Sequence, residues 1–172
     1  MIGSHGPAYH LRYPSDRAVL QPACNTAEFA KCTTEEIVNA YDNTILFTDH
    51  VVASTIDMLA AQDSVIPAVY YLSDHGESLG EYNLFLHGTP YMLAPEQQKH
   101  VAMLAWFSDS YQKSYSVDTH CLQLSREKPL SQDNLFHSML GLLEVNSKVY
   151  NQDLDMFAGC RGAVIDGVLA KE

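Results

Sequence analysis

Nowhere in the 172-residue chain do eighteen apolar residues follow one another, so no stretch of it is suited to crossing a membrane as a helix. Met1-Ile2-Gly3 lacks the charged region and long apolar segment of a signal peptide. Cations are scarce: 10 Lys and Arg stand against 21 Asp and Glu, a net charge of −11. A nucleic-acid partner wants a basic patch, so no nucleic acid is expected, although a few local cations facing a phosphate remain compatible. None of the four cysteines forms C-x-x-C, which argues against a zinc ribbon or a thioredoxin-type redox pair. Repeats and low-complexity segments are missing too. The length suits one domain, and a hydrophobic content of 47% is ample for its core.

The most informative stretch is Val69-Tyr70-Tyr71-Leu72-Ser73-Asp74-His75-Gly76-Glu77-Ser78-Leu79-Gly80. Its apolar beginning, residues 66–72, reads as a buried strand, with buried helix as the alternative that periodicity alone leaves open. Asp74 and His75 sit at its carboxyl end, where ligands gather in open α/β sheets, and Gly76 lets the chain turn. Two other histidines also precede glycine, His5 in Ile2-Gly3-Ser4-His5-Gly6-Pro7 and His87 in Leu84-Phe85-Leu86-His87-Gly88. The three His-Gly pairs are read as one site. Asp74-His75 taken alone would be a hydrogen-bonded pair at the start of a loop.

Gly76-Glu77-Ser78-Leu79-Gly80 also fits G-x-S-x-G, and Asp118 and His137 follow in the order a hydrolase triad requires. That motif needs the strand to run straight into the turn. Asp74 and His75 intervene, which leaves Ser78 well past the strand tip and makes a serine hydrolase the weaker reading.

Residues 1–32 carry little periodicity and are broken by Pro7, Pro14 and Pro22, so they read as a loop-like wall of the site. Tyr9, His10, Arg12 and Tyr13 are expected to give it a polar, aromatic surface. In that reading His10 is an exposed loop histidine and Arg12 a surface or salt-bridge residue. Thr33 and Glu36 then have capping-box spacing, and Ile37, Tyr41, Ile45, Thr48, Val52, Ile56 and Leu59 recur at threes and fours. One long amphipathic helix is predicted over 34–61, with Asp49 and His50 on its solvated face. Residues 76–100 form a long excursion of the functional kind. Beyond it, 101–107 reads as a second buried strand with Trp106 in the core, and 108–115 as a short helix. Residues 116–130 look irregular. Ser131 is expected to cap a helix carrying Leu135, Phe136, Met139, Leu140, Leu142 and Leu143, with His137 as a core or edge residue. Residues 162–172 carry weak signals and are expected to be disordered.

Four cysteines allow three pairings into two disulfides, or four free thiols in a reducing compartment. Cys24 and Cys32 enclose a short polar loop, which favours their pairing and leaves Cys121 for Cys160. Paired cysteines would point to an oxidising compartment such as a periplasm.

Ile2-Gly3-Ser4-His5-Gly6-Pro7, Ser73-Asp74-His75-Gly76-Glu77-Ser78-Leu79-Gly80-Glu81 and Leu86-His87-Gly88 together resemble the lipid A phosphoethanolamine transferases, including the mobile colistin-resistance enzymes. The long helix, Cys24 and Cys32, and Ser131-Gln132-Asp133-Asn134-Leu135 are similar as well. The resemblance implies an α/β fold of the alkaline phosphatase/sulfatase-like kind, a sandwich with a central mixed sheet. It implies a periplasmic catalytic domain of a Gram-negative inner-membrane protein. Such enzymes use a zinc-bound threonine to take phosphoethanolamine from phosphatidylethanolamine and pass it to a lipid A phosphate. By resemblance Asp74 and His75 match zinc ligands (Zn2+). His5 and His87 match histidines that hold a second zinc or the substrate phosphate, and Glu77 would orient a ligand from behind.

In that family the nucleophilic threonine and a further zinc-binding glutamate lie upstream of the Ser-His-Gly-Pro motif, where this chain starts. Residues 1–172 are therefore expected to be the carboxyl-terminal portion of one periplasmic domain, monomeric, touching the membrane through upstream segments and holding no catalytic nucleophile of its own. The alternative is a catalytically empty metal-binding or interaction fragment of the same fold.

Overall fold

The computed structural model of the chain describes residues 3–162 and the backbone of two short strands beyond them. Most of the expected disorder over 162–172 therefore lies outside the described residues. The chain divides into two compact units, Met1–Gln62 with Val69–Trp106, and Asp63–Ala68 with Phe107–Glu172.

The first unit is built on a 27-residue helix, α1 (Thr34–Ala60). Its start obeys the capping box: Thr33 Oγ1 accepts from the Glu36 N–H at 3.2 Å, and Glu36 Oε2 accepts from the Thr33 N–H at 2.7 Å. Two of the N–H groups that every helix start leaves unpaired are thereby satisfied. Asp49 and His50 are exposed, as the stripe implied.

The buried face of α1 is not the apolar stripe alone. Ile37, Ala40, Asn43, Thr44 and Thr48 are covered, whereas Ile45 stays 45% exposed. Asn43 is fully buried because its amide meets the Leu20 backbone twice, accepting from the N–H at 2.8 Å and donating to the carbonyl at 2.9 Å. A buried amide with both ends paired escapes the penalty of an unmet polar group.

Through such bonds the aperiodic residues 3–32 are moulded onto α1. They hold three single 3-10 turns, Tyr9–Leu11, Ser15–Arg17 and Phe29–Lys31, and the Cys24–Cys32 disulfide. Tyr9, Cys24, Ile37 and Ala40 form the core here, packed by Phe29, Tyr41, Leu79 and Leu86. The expected polar surface is corrected at two positions. Tyr9 is buried, stacked on Phe29 at 5.7 Å and edge-on to Tyr41 at 5.4 Å. His10 is half-buried, and its Nδ1 is enclosed with no hydrogen-bond partner.

Two strands, β1 (Ala68–Leu72) and β4 (Met103–Phe107), pair with each other. Neither is the fully buried strand expected. β1 is half-buried along its length, and β4 is covered only at Phe107, with Trp106 intermediate. Between them the long excursion is partly regular: β2 (Ser78–Leu79) and β3 (Phe85–Leu86) form an antiparallel hairpin, followed by a single turn, α2 (Glu96–Lys99).

In the second unit, Ser108 caps α3 (Asp109–Ser114) by accepting from the Tyr111 N–H. The stretch read as irregular contains α4 (Thr119–Ser125), started by Asp118, whose carboxylate accepts from the Cys121 N–H at 2.9 Å. Cys121 is bonded to Cys160. α5 (Asp133–Leu142) begins after Ser131 rather than being capped by it in the usual position; Ser131 Oγ accepts from the Asp133 N–H at 3.3 Å. Phe107, Tyr111 and Phe157 supply aromatic core, while Phe136, Met139 and Leu143 remain exposed. Strands β5 (Val164–Ile165) and β6 (Val168–Leu169) form an antiparallel pair, so each sheet among the described residues has two strands.

Candidate metal centre

The three His-Gly histidines converge. The rings of His75 and His87 lie 4.0 Å apart, those of His5 and His87 4.9 Å, and those of His5 and His75 6.1 Å. Each arrives from a different element: His5 from the loop before the first 3-10 turn, His75 from the end of β1, His87 from the end of β3.

All three rings are oriented through the same nitrogen. His5 Nδ1 faces the Gly6 carbonyl at 2.7 Å, His75 Nδ1 the Gly76 carbonyl at 3.0 Å, and His87 Nδ1 the Glu77 carboxylate at 2.5 Å. Carbonyls and carboxylates only accept hydrogen bonds, so each Nδ1 carries a proton and Nε2 is the nitrogen left for a metal. That is the tautomer in which a histidine binds a metal through Nε2, with the other nitrogen held from behind. For His5 and His75 the glycine that follows provides the acceptor.

Gly76 serves a second purpose. A Cβ there would run into the Gln97 carbonyl oxygen, so the site loop can lie against residues 97–98 only without a side chain. The Gly76 N–H completes the approach by donating to the Gln98 carbonyl at 3.1 Å. At the third histidine the backbone itself is unusual, with Leu86 at φ +67° and Gly88 at φ +96°.

Glu77 joins the site to the core. Its carboxylate is 4% exposed and accepts on one oxygen from His87 and on the other from the Tyr9 hydroxyl at 2.6 Å. Burial, and then the hydrogen bond to Glu77, push the Tyr9 phenol well above its ordinary range. Tyr9 is the supporting residue that the sequence did not disclose, since a tyrosine in an aperiodic loop carries no signal of its partner. Arg12 braces the same region by donating from Nε to the His5 carbonyl at 2.9 Å.

His75, Glu77 and His87 each bring one donor atom within 4.8 Å of the others. Asp74 stands at the rim: its side chain is 90% exposed, and Oδ2 lies 3.9 Å from His75 Nε2. Imidazole nitrogens and carboxylate oxygens with fixed tautomers suit a divalent cation of the zinc type. The chemistry of the donor set thus fits the metal that the resemblance implies. A cavity of about 480 Å³ opens beside them, lined by His5, Asp74, His75, Glu77, Tyr41 and Tyr71 among others.

The hydrolase reading does not survive. Ser78 is fully buried in β2, where its hydroxyl accepts from Gln98 Nε2 at 2.9 Å. Asp118 is committed to capping α4, and His137 Nδ1 accepts from the Asn151 N–H at 3.0 Å, a position at the edge of α5.

Helices, paired strands and a histidine-carboxylate cluster at the strand ends define an α/β protein with a candidate metal site. The chain belongs to the sulfatase family, whose model matches residues 1–145. Phosphoethanolamine transferase EptA of Escherichia coli (strain K12) is 48% identical over 162 residues, 93% of this chain and 30% of that protein. Phosphatidylethanolamine transferase Mcr-1 of Escherichia coli is 35% identical, over 85% of this chain and 26% of its own length. The solved soluble domain of lipooligosaccharide phosphoethanolamine transferase A from Neisseria meningitidis matches with a TM-score of 0.91 and 41% identity. That match covers 95% of this chain and 49% of the solved one. The alkaline phosphatase/sulfatase-like fold is therefore established, and the chain spans under a third of the length of these curated relatives. Among the described residues no helix is long and apolar enough to cross a membrane.

Proposed function

We propose that residues 1–172 form the carboxyl-terminal portion of the catalytic domain of a zinc-dependent phosphoethanolamine transferase. The donor would be phosphatidylethanolamine, the acceptor a lipid A phosphate, and the consequence resistance to polymyxins such as colistin. The observation that carries this reading is the convergence of His5, His75 and His87, each with its Nδ1 proton committed to an oxygen acceptor. Likeness to phosphoethanolamine transferases over more than nine-tenths of the chain supports it.

In this reading Asp74 and His75 are zinc ligands, and His5 and His87 hold a second zinc or the phosphate. Glu77 orients His87. Bound zinc supplies Lewis acidity, neutralising charge on a phosphoryl group and favouring ionisation of a nearby hydroxyl. Glu77 keeps the His87 proton on Nδ1, and the Gly6 and Gly76 carbonyls do the same for His5 and His75. The phosphate-bearing head group would occupy the cavity beside them. The protein would act in the periplasm as a monomer, reaching the membrane through segments beyond these residues.

On its own the chain is proposed to bind zinc without transferring phosphoethanolamine, because the nucleophile is expected in the larger protein. Ser78 is buried, and the Thr89 hydroxyl accepts from Gln98 Nε2 at 3.3 Å, so neither replaces it. All four cysteines are in disulfides. The test compares this chain with one extended upstream, using a labelled phosphatidylethanolamine analogue. Zinc-dependent turnover only by the extended protein is expected; equal turnover by both would overturn the assignment of the nucleophile. Failure of either protein to bind zinc would overturn the reading as a whole.

A further inference from the structure

One more histidine, His100, lines the cavity beside the histidine cluster. Its place follows from the backbone. The Ser73 N–H donates to the Ala102 carbonyl and the Gly76 N–H to the Gln98 carbonyl, both at 3.1 Å. Between these two bonds lie Asp74 and His75 on one segment and Lys99, His100 and Val101 on the other. His100 therefore stands across from the Asp74-His75 pair, at the reach over which side chains on adjacent segments interact. Its position is held from the other side by α2, since the His100 N–H donates to the Glu96 carbonyl at 2.7 Å.

Like His5, His100 is outside the set of donor atoms, from His75, Glu77 and His87, that lie within 4.8 Å of one another. It is exposed, and it follows lysine and precedes valine rather than glycine. Its chemistry in this cavity is that of a hydrogen-bond donor. A tetrahedral phosphoryl group bound through one oxygen to a cation presents further oxygens, which need donors of their own. Asp74 and Glu77 are carboxylates and cannot supply them when ionised, and the Nδ1 protons of His5 and His75 are committed to carbonyls.

We propose that His100 is a substrate-positioning residue of this site, donating a hydrogen bond to a non-bridging oxygen of the phosphoryl group in the cavity. The inference rests on the proposed transferase reading and adds a residue to it. The ligand chemistry is that of a phosphate ester, whether free or carried on a lipid head group, because the contact is with oxygens that both share.

The experiment measures binding of O-phosphoethanolamine and, separately, of inorganic phosphate to the zinc-loaded chain by titration calorimetry. It compares the unsubstituted chain, His100→Ala, and His75→Ala as a control for the metal cluster. The His100 ring resonances are followed by NMR during the same titrations. His100→Ala should weaken both ligands by about tenfold, the effect of losing one hydrogen bond to a charged group. Zinc affinity and melting temperature should not move, and the His100 ring signals should shift on addition of either ligand. Unchanged affinities for both ligands would overturn the role of His100 while leaving the transferase reading in place. Weakening of phosphoethanolamine alone would also overturn it, because the contact would then lie with the amine. A fall in zinc affinity would make His100 a metal ligand instead. If the unsubstituted chain binds neither ligand, both this inference and the phosphate-site reading fail.

Discussion

Glu77 Oε1 and His87 Nδ1 meet at 2.5 Å, and this contact ties an exposed histidine of the site to a buried carboxylate. His87 is solvent-facing at the end of β3, whereas Glu77 is almost wholly enclosed and shares its second oxygen with Tyr9. A carboxylate behind a histidine fixes the ring and makes its outer nitrogen more basic.

Replacing Glu77 by Gln keeps the shape and removes the charge. Zinc affinity should fall by about ten- to a hundredfold, the usual consequence of losing such support. Competition against a chelating dye checks this, with circular dichroism to show that the fold persists. Affinity unchanged by the substitution would mean that Glu77 is only a structural partner of Tyr9.

The site was legible in the sequence to the extent that its chemistry is local. His5, His75 and His87 could be grouped because each precedes glycine, and the carbonyls of Gly6 and Gly76 prove to be the acceptors that orient two of the rings. The start of α1 was legible for the same reason, since a capping box is complete within four residues. What escaped depends on partners remote in sequence. Tyr9 is buried by Phe29, Tyr41 and Glu77, and Asn43 by the Leu20 backbone. An apolar stripe marks a helix and not the surface that will cover it, so Ile45 and Phe136 were assigned to faces the structure leaves open. The short α4 escaped because its cap, Asp118, precedes a segment without a clear apolar period.

Both disulfides should contribute to stability, but unequally. Cys24–Cys32 closes a separation of 8 residues and Cys121–Cys160 one of 39. A longer closed loop removes more freedom from the unfolded chain, so the second bridge should be the more stabilising, at about 3–4 kcal/mol. Paired Ser substitutions at each bridge, compared by urea unfolding, test the order. A larger loss from the Cys24–Cys32 pair would show that its packing against Tyr9 outweighs loop entropy.

Gly141 lies inside α5, where alanine would ordinarily add about 1 kcal/mol of helix stability. Here the added methyl would meet both Arg161 and Asp155, which form an ion pair under the helix. Arg161 also donates to the Gly141 carbonyl, and the Tyr150 hydroxyl donates to Asp155 at 2.7 Å. Disrupting a buried pair costs about 3–5 kcal/mol, which exceeds the propensity gain. Gly141→Ala should therefore destabilise by about 2–4 kcal/mol in urea unfolding. A stabilised variant would show that the pair can move aside freely.

Tyr111 sets an alkaline limit. Burial, and then the neighbouring Tyr115, raise its phenol above the ordinary value of 10.0, and its hydroxyl donates to the Leu142 carbonyl at 2.7 Å. The folded state thus keeps the proton that the unfolded chain loses above about pH 10. The contribution of the neutral phenol is fully present below that pH and declines as the pH climbs toward the raised folded value. Tyr111→Phe should lose about 1 kcal/mol at neutral pH with the hydrogen bond. The gap between the two proteins should then narrow above pH 10, because phenylalanine cannot ionise in the unfolded state. Urea unfolding of both from pH 8 to pH 11 measures the gap. A gap that stays constant or widens with pH would mean that the Tyr111 proton is held no more tightly in the folded chain than in the unfolded one.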